Sequence, residues 1–435
     1  MQIAIIGCSA AGISAIEAIR SKDKKSRITV ISDEKRPLYS RCLISYLLAG
    51  TIDEKTIWYR PDGFFKQNKV DAVLGAKATK IDTEKKEIFF ERVRLGGRVE
   101  KLKFDKLLIA TGASPKLEKI PGVDKKGVFP LRTIGHTQEI QSMLGRVKKA
   151  AVLGGGLIGL RAAYALKNRG KEVSVFVRSP QILSQIIDEG SASMMQKHIE
   201  KKGINIVTGR SAKEISGKDS VSGIILDDGS KYDCELVIIG KGVSANIDLA
   251  KAAGIKTNWG IVVDEFLRTS DKNIFAAGDV AESFDVALEE NSINAIWPVA
   301  CEQGRLAALN MLGNEERYDG TLAMNSLEFF GLPVISIGIT KPKKDIYEEI
   351  VRTDAEKNIY KKIVLRNNVI VGAIALNSVD TIGIFGALIK NKVDITPIKD
   401  IILEDYFDYG KIVNLIKGAK YGFKEKEFKE TIMTL

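Results

Sequence analysis

Cys8, Cys42, Cys234 and Cys301, together with His136 and His198, are the only cysteines and histidines in the chain. No two of the cysteines stand in a CxxC or CxxxxC pair, so local spacing supports no zinc cage, iron-sulfur ligand run or dithiol motif, and no metal ligand is assigned. Serine-histidine hydrolysis has little to draw on. If the chain is an enzyme, its chemistry is expected in a bound cofactor or a single thiol. Residues 39–50 read as a short helix with Ser40 as N-cap and Gly50 as stop, which puts Cys42 in the first turn beside Arg41. Helix dipole and cation would both favour the thiolate. A thiol of pKa near 8.5 is about 3% ionised at pH 7, whereas a drop to about 6 makes it roughly 90%. Cys8 and Cys234 read as packing residues, and Cys301 as a lesser candidate.

Two segments of the chain could position such a group, and they follow one plan. The apolar run 3–6 meets Gly7-Cys8-Ser9-Ala10-Ala11-Gly12, Ile13, Ile16 and Ile19 then give an apolar helical face, and 28–31 read as the next strand. Later, 150–153 meet Gly154-Gly155-Gly156-Leu157-Ile158-Gly159, a helix runs to Gly170, and 173–177 form a strand. The copies also end alike. A hairpin turning at Gly96-Gly97 leads to Ala110, Thr111 and Gly112; one turning at Asp228-Gly229 leads to Gly240 and Gly242. A repeat on this scale argues for two related mononucleotide-binding domains. From about Asn325 the pattern becomes strand-rich, with a turn at Asn367-Asn368 and a helix over 381–390, which reads as a third, α+β domain.

The chain's 435 residues, 45% hydrophobic, suffice for two or three domains with real cores and argue against disorder. The net charge of +11 is spread out, with only short runs such as 22–25 and 341–344, so a role with nucleic acid is not indicated. No apolar run reaches the roughly 18 residues that span a bilayer, and no basic leader precedes the run at 3–6, so the expectation is a cytoplasmic protein without a membrane role.

A strand, a glycine turn and a helix start aim backbone N–H groups and the positive end of the helix dipole at a pyrophosphate. Gly154, Gly156 and Gly159 satisfy the three-glycine spacing. The first copy keeps Gly7 and Gly12 and has Ser9 in the middle. The residue ending the second strand then decides between a free ribose and a 2'-phosphate. Asp33 and Glu34 stand there in the first copy, and Arg178 in the second, which points to a phosphorylated ribose or else to a solvent-facing arginine.

Taken together, the Gly7 loop, Ala110-Thr111-Gly112, the Gly154 loop and Ala277-Gly278-Asp279 resemble the FAD-dependent pyridine nucleotide-disulfide oxidoreductases over essentially the whole chain. The resemblance implies an α/β fold with two Rossmann-like dinucleotide-binding domains, for FAD and NAD(P), and a C-terminal α+β interface domain. It divides the chain into an FAD domain at 1–115 and 255–324, an NAD(P) domain at 116–254, and the interface domain at 325–435. The cofactors implied are FAD and NAD(P)H. Gly7, Ser9, Ala10, Ala11, Gly12, Asp33, Glu34, Arg41, Ala110, Thr111 and Gly112 would line the FAD site. Gly278 and Asp279 would meet the ribityl and phosphate region, the Ala78 backbone the adenine, and Pro298, in the helix starting near 296, the flavin pyrimidine. Gly154, Gly156, Ile158, Gly159, Arg178, Gly240 and Gly242 would hold the nicotinamide dinucleotide.

Within that family, the missing cysteine pair and the lack of any histidine after His198 exclude the two-cysteine members. Single-cysteine members resembling coenzyme A-disulfide reductase and NADH oxidase remain, as do electron-transfer relatives without a redox cysteine. Cys42 lies ten residues beyond Ser32, which resembles the placement of the single redox cysteine. Two features lean the other way: Leu43-Ile44-Ser45 resembles the electron-transfer relatives, and Arg161 stands where many members carry a glutamate near the nicotinamide. Ala10, in place of a histidine, disfavours peroxide chemistry. The leading expectation is hydride transfer from NAD(P)H to flavin and then, through Cys42, to a disulfide- or persulfide-type acceptor. The alternative is an electron-transfer subunit serving an iron-sulfur protein or metalloenzyme. The partner is accordingly a small sulfur substrate or a redox protein, with the chain a homodimer, in which Tyr406 and Tyr409 reach toward the partner's site, or part of a larger redox complex.

Overall fold

Ile3, Ala4 and Ile5 are wholly buried, and a strand apolar on both faces belongs inside a parallel sheet covered on both sides. Their strand, Gln2–Ile6, lies at the centre of a five-stranded parallel sheet in the order Ile274–Ala276, Lys106–Ile109, Gln2–Ile6, Arg27–Ser32, Val70–Leu74. The helix Ala10–Lys22 buries Ile13, Ile16 and Ile19, the face expected from their spacing. It is crossed by Trp297–Met311 so closely that a Cβ on Gly304 would lie 2.2 Å from the Ala11 carbonyl oxygen.

The computed structural model describes residues 1–92, 98–343, 345–413 and 415. They form two compact units, one of residues 1–180, 203–284 and 291–321, the other of 181–202, 285–290 and the chain from 322 onward.

The first unit holds the repeat. Its second parallel sheet runs Ile204–Thr208, Glu172–Val177, Lys149–Leu153, Leu236–Ile239, Val128–Pro130, so in both sheets the strand before the glycine loop is central, flanked by its successor and by the strand that closes the copy. Each copy also carries a three-stranded antiparallel module, Ala76–Asp82 with Glu87–Arg92 and Val99–Lys103, and Ala212–Ser216 with Gly223–Leu226 and Lys231–Asp233. The turn expected at Gly96-Gly97 lies outside the described residues. Two short antiparallel strands, Ala113–Pro115 and Val243–Ala245, join the copies, and Asn246 locks them by donating to the Thr111 carbonyl at 2.8 Å.

In the second unit, Met324–Phe329, Leu332–Gly338, Val369–Leu376, Ile359–Arg366 and Glu348–Asp354 form an antiparallel sheet in that order. Asn367 and Asn368, at φ +53° and +58°, make the expected two-residue turn; asparagine tolerates the left-handed region that such a turn needs. Helix Ile382–Lys390 packs Phe385 and Leu388 into this unit's core. Asp188, from the segment 181–202, accepts from Tyr360 Oη at 2.5 Å and Lys362 Nζ at 3.0 Å. No helix among the described residues is long and apolar enough to cross a membrane.

Candidate functional site

Both glycine loops obey the same constraints. Gly7 adopts φ +105° and donates its N–H to Ile31 O at 2.8 Å; Gly154 adopts φ +122° and donates to Phe176 O at 2.9 Å. A Cβ on Gly12 would fall 2.2 Å from Gly7 O, and one on Gly159 1.9 Å from Gly154 O, so only glycine lets each helix start this close to its strand. The loops also press on the strand that closes their copy. A Cβ on Gly7 would meet Ala110 O at 2.1 Å and Thr111 N at 3.3 Å, and one on Gly154 would meet Gly240 O at 2.4 Å and Lys241 N at 3.3 Å; Gly112 and Gly242, which follow in each copy, adopt φ +64° and +85°. The middle positions differ. Around Gly156 no atom lies within 4 Å of where a Cβ would stand, whereas Ser9 Oγ accepts from Arg41 Nε at 3.3 Å.

The donor chemistry of these loops fits dinucleotides. Of the five described helices with ten or more residues, Ile134–Met143 and Glu189–Lys201 carry side-chain N-caps, from Thr133 and Asp188. Ala10–Lys22, Leu157–Asn168 and Trp297–Met311 have none. Those are the two loop helices, which carry Ala10, Ala11 and Ile158, and the helix with Pro298 in its first turn. Their leading amides are left for an anion or a flavin carbonyl.

Of the two acids after the Arg27–Ser32 strand, Asp33 faces solvent and Glu34 is built in. Glu34 accepts from Tyr39 Oη at 2.6 Å and pairs with Arg41 Nη2. Burial pushes the Tyr39 phenol above its ordinary value, opposed in part by Arg41 and reinforced by Glu34. Arg178, at the equivalent strand end of the second copy, is exposed. Ala78 lies on the first antiparallel module, half-buried against the core of the first sheet, where the strand register shifts.

Asp279 meets a partner that sequence reasoning missed. Arg132 Nη2 donates to Asp279 Oδ2 at 2.8 Å, and its Nε to Ala113 O at 3.2 Å. Beside them, Gly278 N–H donates to Gln303 Oε1 at 2.9 Å, tying the Asp279 turn to the Trp297–Met311 helix. Tyr59 was also missed. Its ring stands edge-on to Trp297 with centroids 5.2 Å apart, and its phenol is pushed up by burial and by Cys301, with which it shares a hydrogen bond. Arg132 and Tyr59 carry no local motif, so only the fold identifies them.

Cys42 requires a correction. The expected helix is a 3-10 turn, Arg41–Leu43, followed by the helix Ile44–Ala49, with Gly50 as its left-handed cap at φ +74°. Cys42 thus sits ahead of the α-helix rather than in its first turn. Arg41 does not serve the thiol: its guanidinium holds Glu34, Ser9 and the Arg132 carbonyl. Desolvation first, then the Asp279 carboxylate, pushes the Cys42 thiol above its ordinary value, while Ser40 and Arg132 pull it down. The sequence-based expectation of a stabilised thiolate therefore fails for the protein's own groups. Cys42 is nonetheless exposed, whereas Cys8 and Cys234 are buried and pushed up to about 12, chiefly by desolvation.

The family model for pyridine nucleotide-disulphide oxidoreductases matches residues 1–304, and that for the rubredoxin NAD+ reductase C-terminal domain matches 324–393. The chain is 33% identical over 397 residues to nitrite reductase [NAD(P)H] of Bacillus subtilis, covering 91% of this chain and 48% of that protein. It is 35% identical over 345 residues to an NADH oxidase of Methanocaldococcus jannaschii, covering 78% and 76%. The solved NAD-dependent persulfide reductase of A. fulgidus superposes with a TM-score of 0.86 at 27% identity, over 92% of this chain and 79% of that one. The chain spans about half the length of some of the curated relatives it matches. The match over 1–304, the paired parallel sheets and the two uncapped glycine loops lead to one conclusion: the chain belongs to the pyridine nucleotide-disulphide oxidoreductases, a family that binds FAD and NAD(P)H.

Proposed function

We propose that this protein is an NAD(P)H oxidoreductase that delivers electrons through Cys42 to a disulfide- or persulfide-type small molecule. The observation that carries this reading is the surroundings of Cys42: an exposed thiol within electrostatic reach of Asp279, Arg132 and Cys301. FAD, when bound, accepts the hydride of NAD(P)H and passes the electron pair on. The amides of the Gly7 loop, Glu34, Arg41, Ala78, Gly278, Asp279 and Pro298 would hold it, within a domain proposed to span 1–115 and 255–324. The Gly154 loop, Arg178, Gly240 and Gly242 would hold the nicotinamide dinucleotide, in a domain at 116–254. Cys42 attacks one sulfur of the substrate disulfide, expelling the other half as a thiolate and keeping the first as a mixed disulfide; the electron pair drawn from NAD(P)H would then split that S–S bond, releasing the second half as a thiolate and restoring the Cys42 thiolate. Its raised pKa means that the proton must leave before the attack. Arg132 is the nearby cation that favours this, and Asp279 opposes it.

A second reading is favoured by that same raised pKa. A thiol held protonated suits a subunit that passes electrons to an iron-sulfur or metalloenzyme partner, as does similarity to a nitrite reductase about twice this length. Turnover of coenzyme A disulfide by wild type and Cys42→Ser separates the two. The first reading expects a loss of roughly a hundredfold in the variant with flavin reduction by NAD(P)H unchanged. Equal turnover, with salt-dependent reduction of an iron-sulfur protein, establishes the second. We further propose that residues 325–435 mediate homodimer or complex formation, with Tyr406 and Tyr409 exposed for that contact.

A further inference from the structure

The neighbouring parallel strands Lys106–Ile109 and Ile274–Ala276 lead at their carboxyl ends into Ala110 and Asp279, and their amino ends hold a cavity at the opposite side of the sheet. Three segments of the first unit meet there: the turn after Ala76–Asp82, the residues that follow the short helix Asp248–Ala252, and the turn 270–273. Thr83, Ile255, Ser270, Asp271, Lys272 and Asn273 line a volume of about 510 Å³, within the range of small-molecule pockets. Its surroundings are cationic. Lys106 Nζ donates to Asn273 Oδ1 at 3.0 Å and to Lys272 O at 3.4 Å, which holds its ammonium against the cavity wall. Burial, and then the like charges of Lys86, Arg268 and Lys272, pull this amine below its ordinary value, while Asp271 acts the other way. Arg268 pairs with Glu315 at 3.4 Å, and Asp271 Oδ1 accepts from the Asn273 amide at 2.8 Å. Lys86, Lys106 and Lys272 have no ion pair among the described residues. On the turn that carries Thr83, Glu84 and Lys85 are exposed and of opposite sign. Four cations against the two carboxylates of Asp271 and Glu315 leave two positive charges in excess. Like charges gathered this closely repel one another, and a bound anion relieves the repulsion.

We propose that this cavity is a binding site for an organic phosphate, separate from both glycine loops. A phosphate monoester carries close to two negative charges at neutral pH, which matches the excess, and its oxygens accept from several directions at once. Lys272 supplies an ammonium at the cavity, and the hydroxyls of Thr83 and Ser270 supply neutral donors, the Ser270 oxygen itself accepting from the Lys256 amide at 3.0 Å. A phosphate group alone fills only part of the volume. Ala253, Gly254 and Ile255 give the rest of the wall to the uncharged portion of the ester. The inference does not depend on how FAD or NAD(P)H is held.

The test is lysine footprinting of the FAD-loaded protein. Brief acetylation followed by mass spectrometry reads each lysine separately, so an anion bound at the glycine loops does not register at Lys86 or Lys272. Glucose 6-phosphate is compared with inorganic phosphate, and ATP with inorganic triphosphate, which gives each organic ester an inorganic control of similar charge. At least one ester should protect Lys86 and Lys272 at roughly a tenth of the concentration its control requires, while the exposed Lys148 acetylates at an unchanged rate. Lys272→Glu, an exposed substitution that leaves flavin content unchanged, should raise the concentration for half-protection of Lys86 by roughly tenfold. Equal potency of ester and control in both pairs overturns the organic part of the proposal. Absence of protection by all four anions at millimolar concentration, or protection of Lys86 that Lys272→Glu leaves unchanged, overturns the site.

Discussion

Arg132 and Asp279, 147 residues apart in sequence, meet at 2.8 Å, and both side chains are mostly shielded from solvent. The pair sets the charge at the end of the Lys106–Ile109 and Ile274–Ala276 strands, where Asp279 raises the Cys42 pKa and Arg132 lowers it. Arg132→Ala should leave the Asp279 carboxylate without its cation. We expect FAD affinity to fall by roughly tenfold or more, corresponding to about 1.5–3 kcal/mol for a hydrogen bond between charged groups. Flavin retention on desalting, with an unchanged circular dichroism spectrum, measures this.

The same pair makes thiol reactivity testable. Because the Cys42 pKa is raised, alkylation by iodoacetamide should be slow at neutral pH and accelerate only above the ordinary thiol range, near 8.5. Asp279→Asn removes a charge that raises the pKa and should shift the profile to lower pH; a shift to higher pH would refute the assigned cause. Mass spectrometry after brief labelling of the native protein should find the adduct on Cys42 and none on buried Cys8 or Cys234.

The glycines of the second loop should separate folding from binding. Gly159→Ala forces a Cβ to 1.9 Å from Gly154 O and should cost about 1–3 kcal/mol of stability, read as a lower unfolding midpoint. Gly156→Ala meets no atom within 4 Å, so its midpoint should stay within about 0.5 kcal/mol of wild type while NAD(P)H affinity drops roughly tenfold.

In the second unit, Lys362 is 3% exposed and is held by Asp188 and Glu349 at 3.0 and 2.8 Å. Burial works against the Asp188 charge, but hydrogen bonds from Ser191, Tyr360 and Lys362 outweigh it and leave the carboxyl below its ordinary pKa. A depressed folded-state pKa contributes stability above the unfolded value, near 3.9, that is lost as pH falls through the folded one. Asp188→Asn should therefore destabilise this unit by about 1–3 kcal/mol at neutral pH, Glu349 retaining part of the pairing. The gap from wild type should close as pH drops below about 4, in denaturant melts across pH.

The strand-loop-helix starts and the Asn367-Asn368 turn were legible in the sequence because each depends on neighbours a few residues away. So were the order of elements within each copy and the helix expected over 381–390, found at Ile382–Lys390 with Thr381 as N-cap. Local pattern could not reveal that the segment 181–202 clusters with the chain beyond 322, since that depends on contacts such as Asp188 with Tyr360 and Lys362.

The sequence by itself determined two dinucleotide loops and one candidate thiol, Cys42, since glycine spacing and apolar runs encode backbone geometry directly. Only the tertiary structure decided what each charge does. Arg41, adjacent to Cys42 in sequence, turns to Glu34, and the thiol answers instead to Asp279 and Arg132 from loops distant in sequence. Electrostatic interaction falls with distance through space and is indifferent to separation along the chain, so a thiol's pKa is a property of the fold.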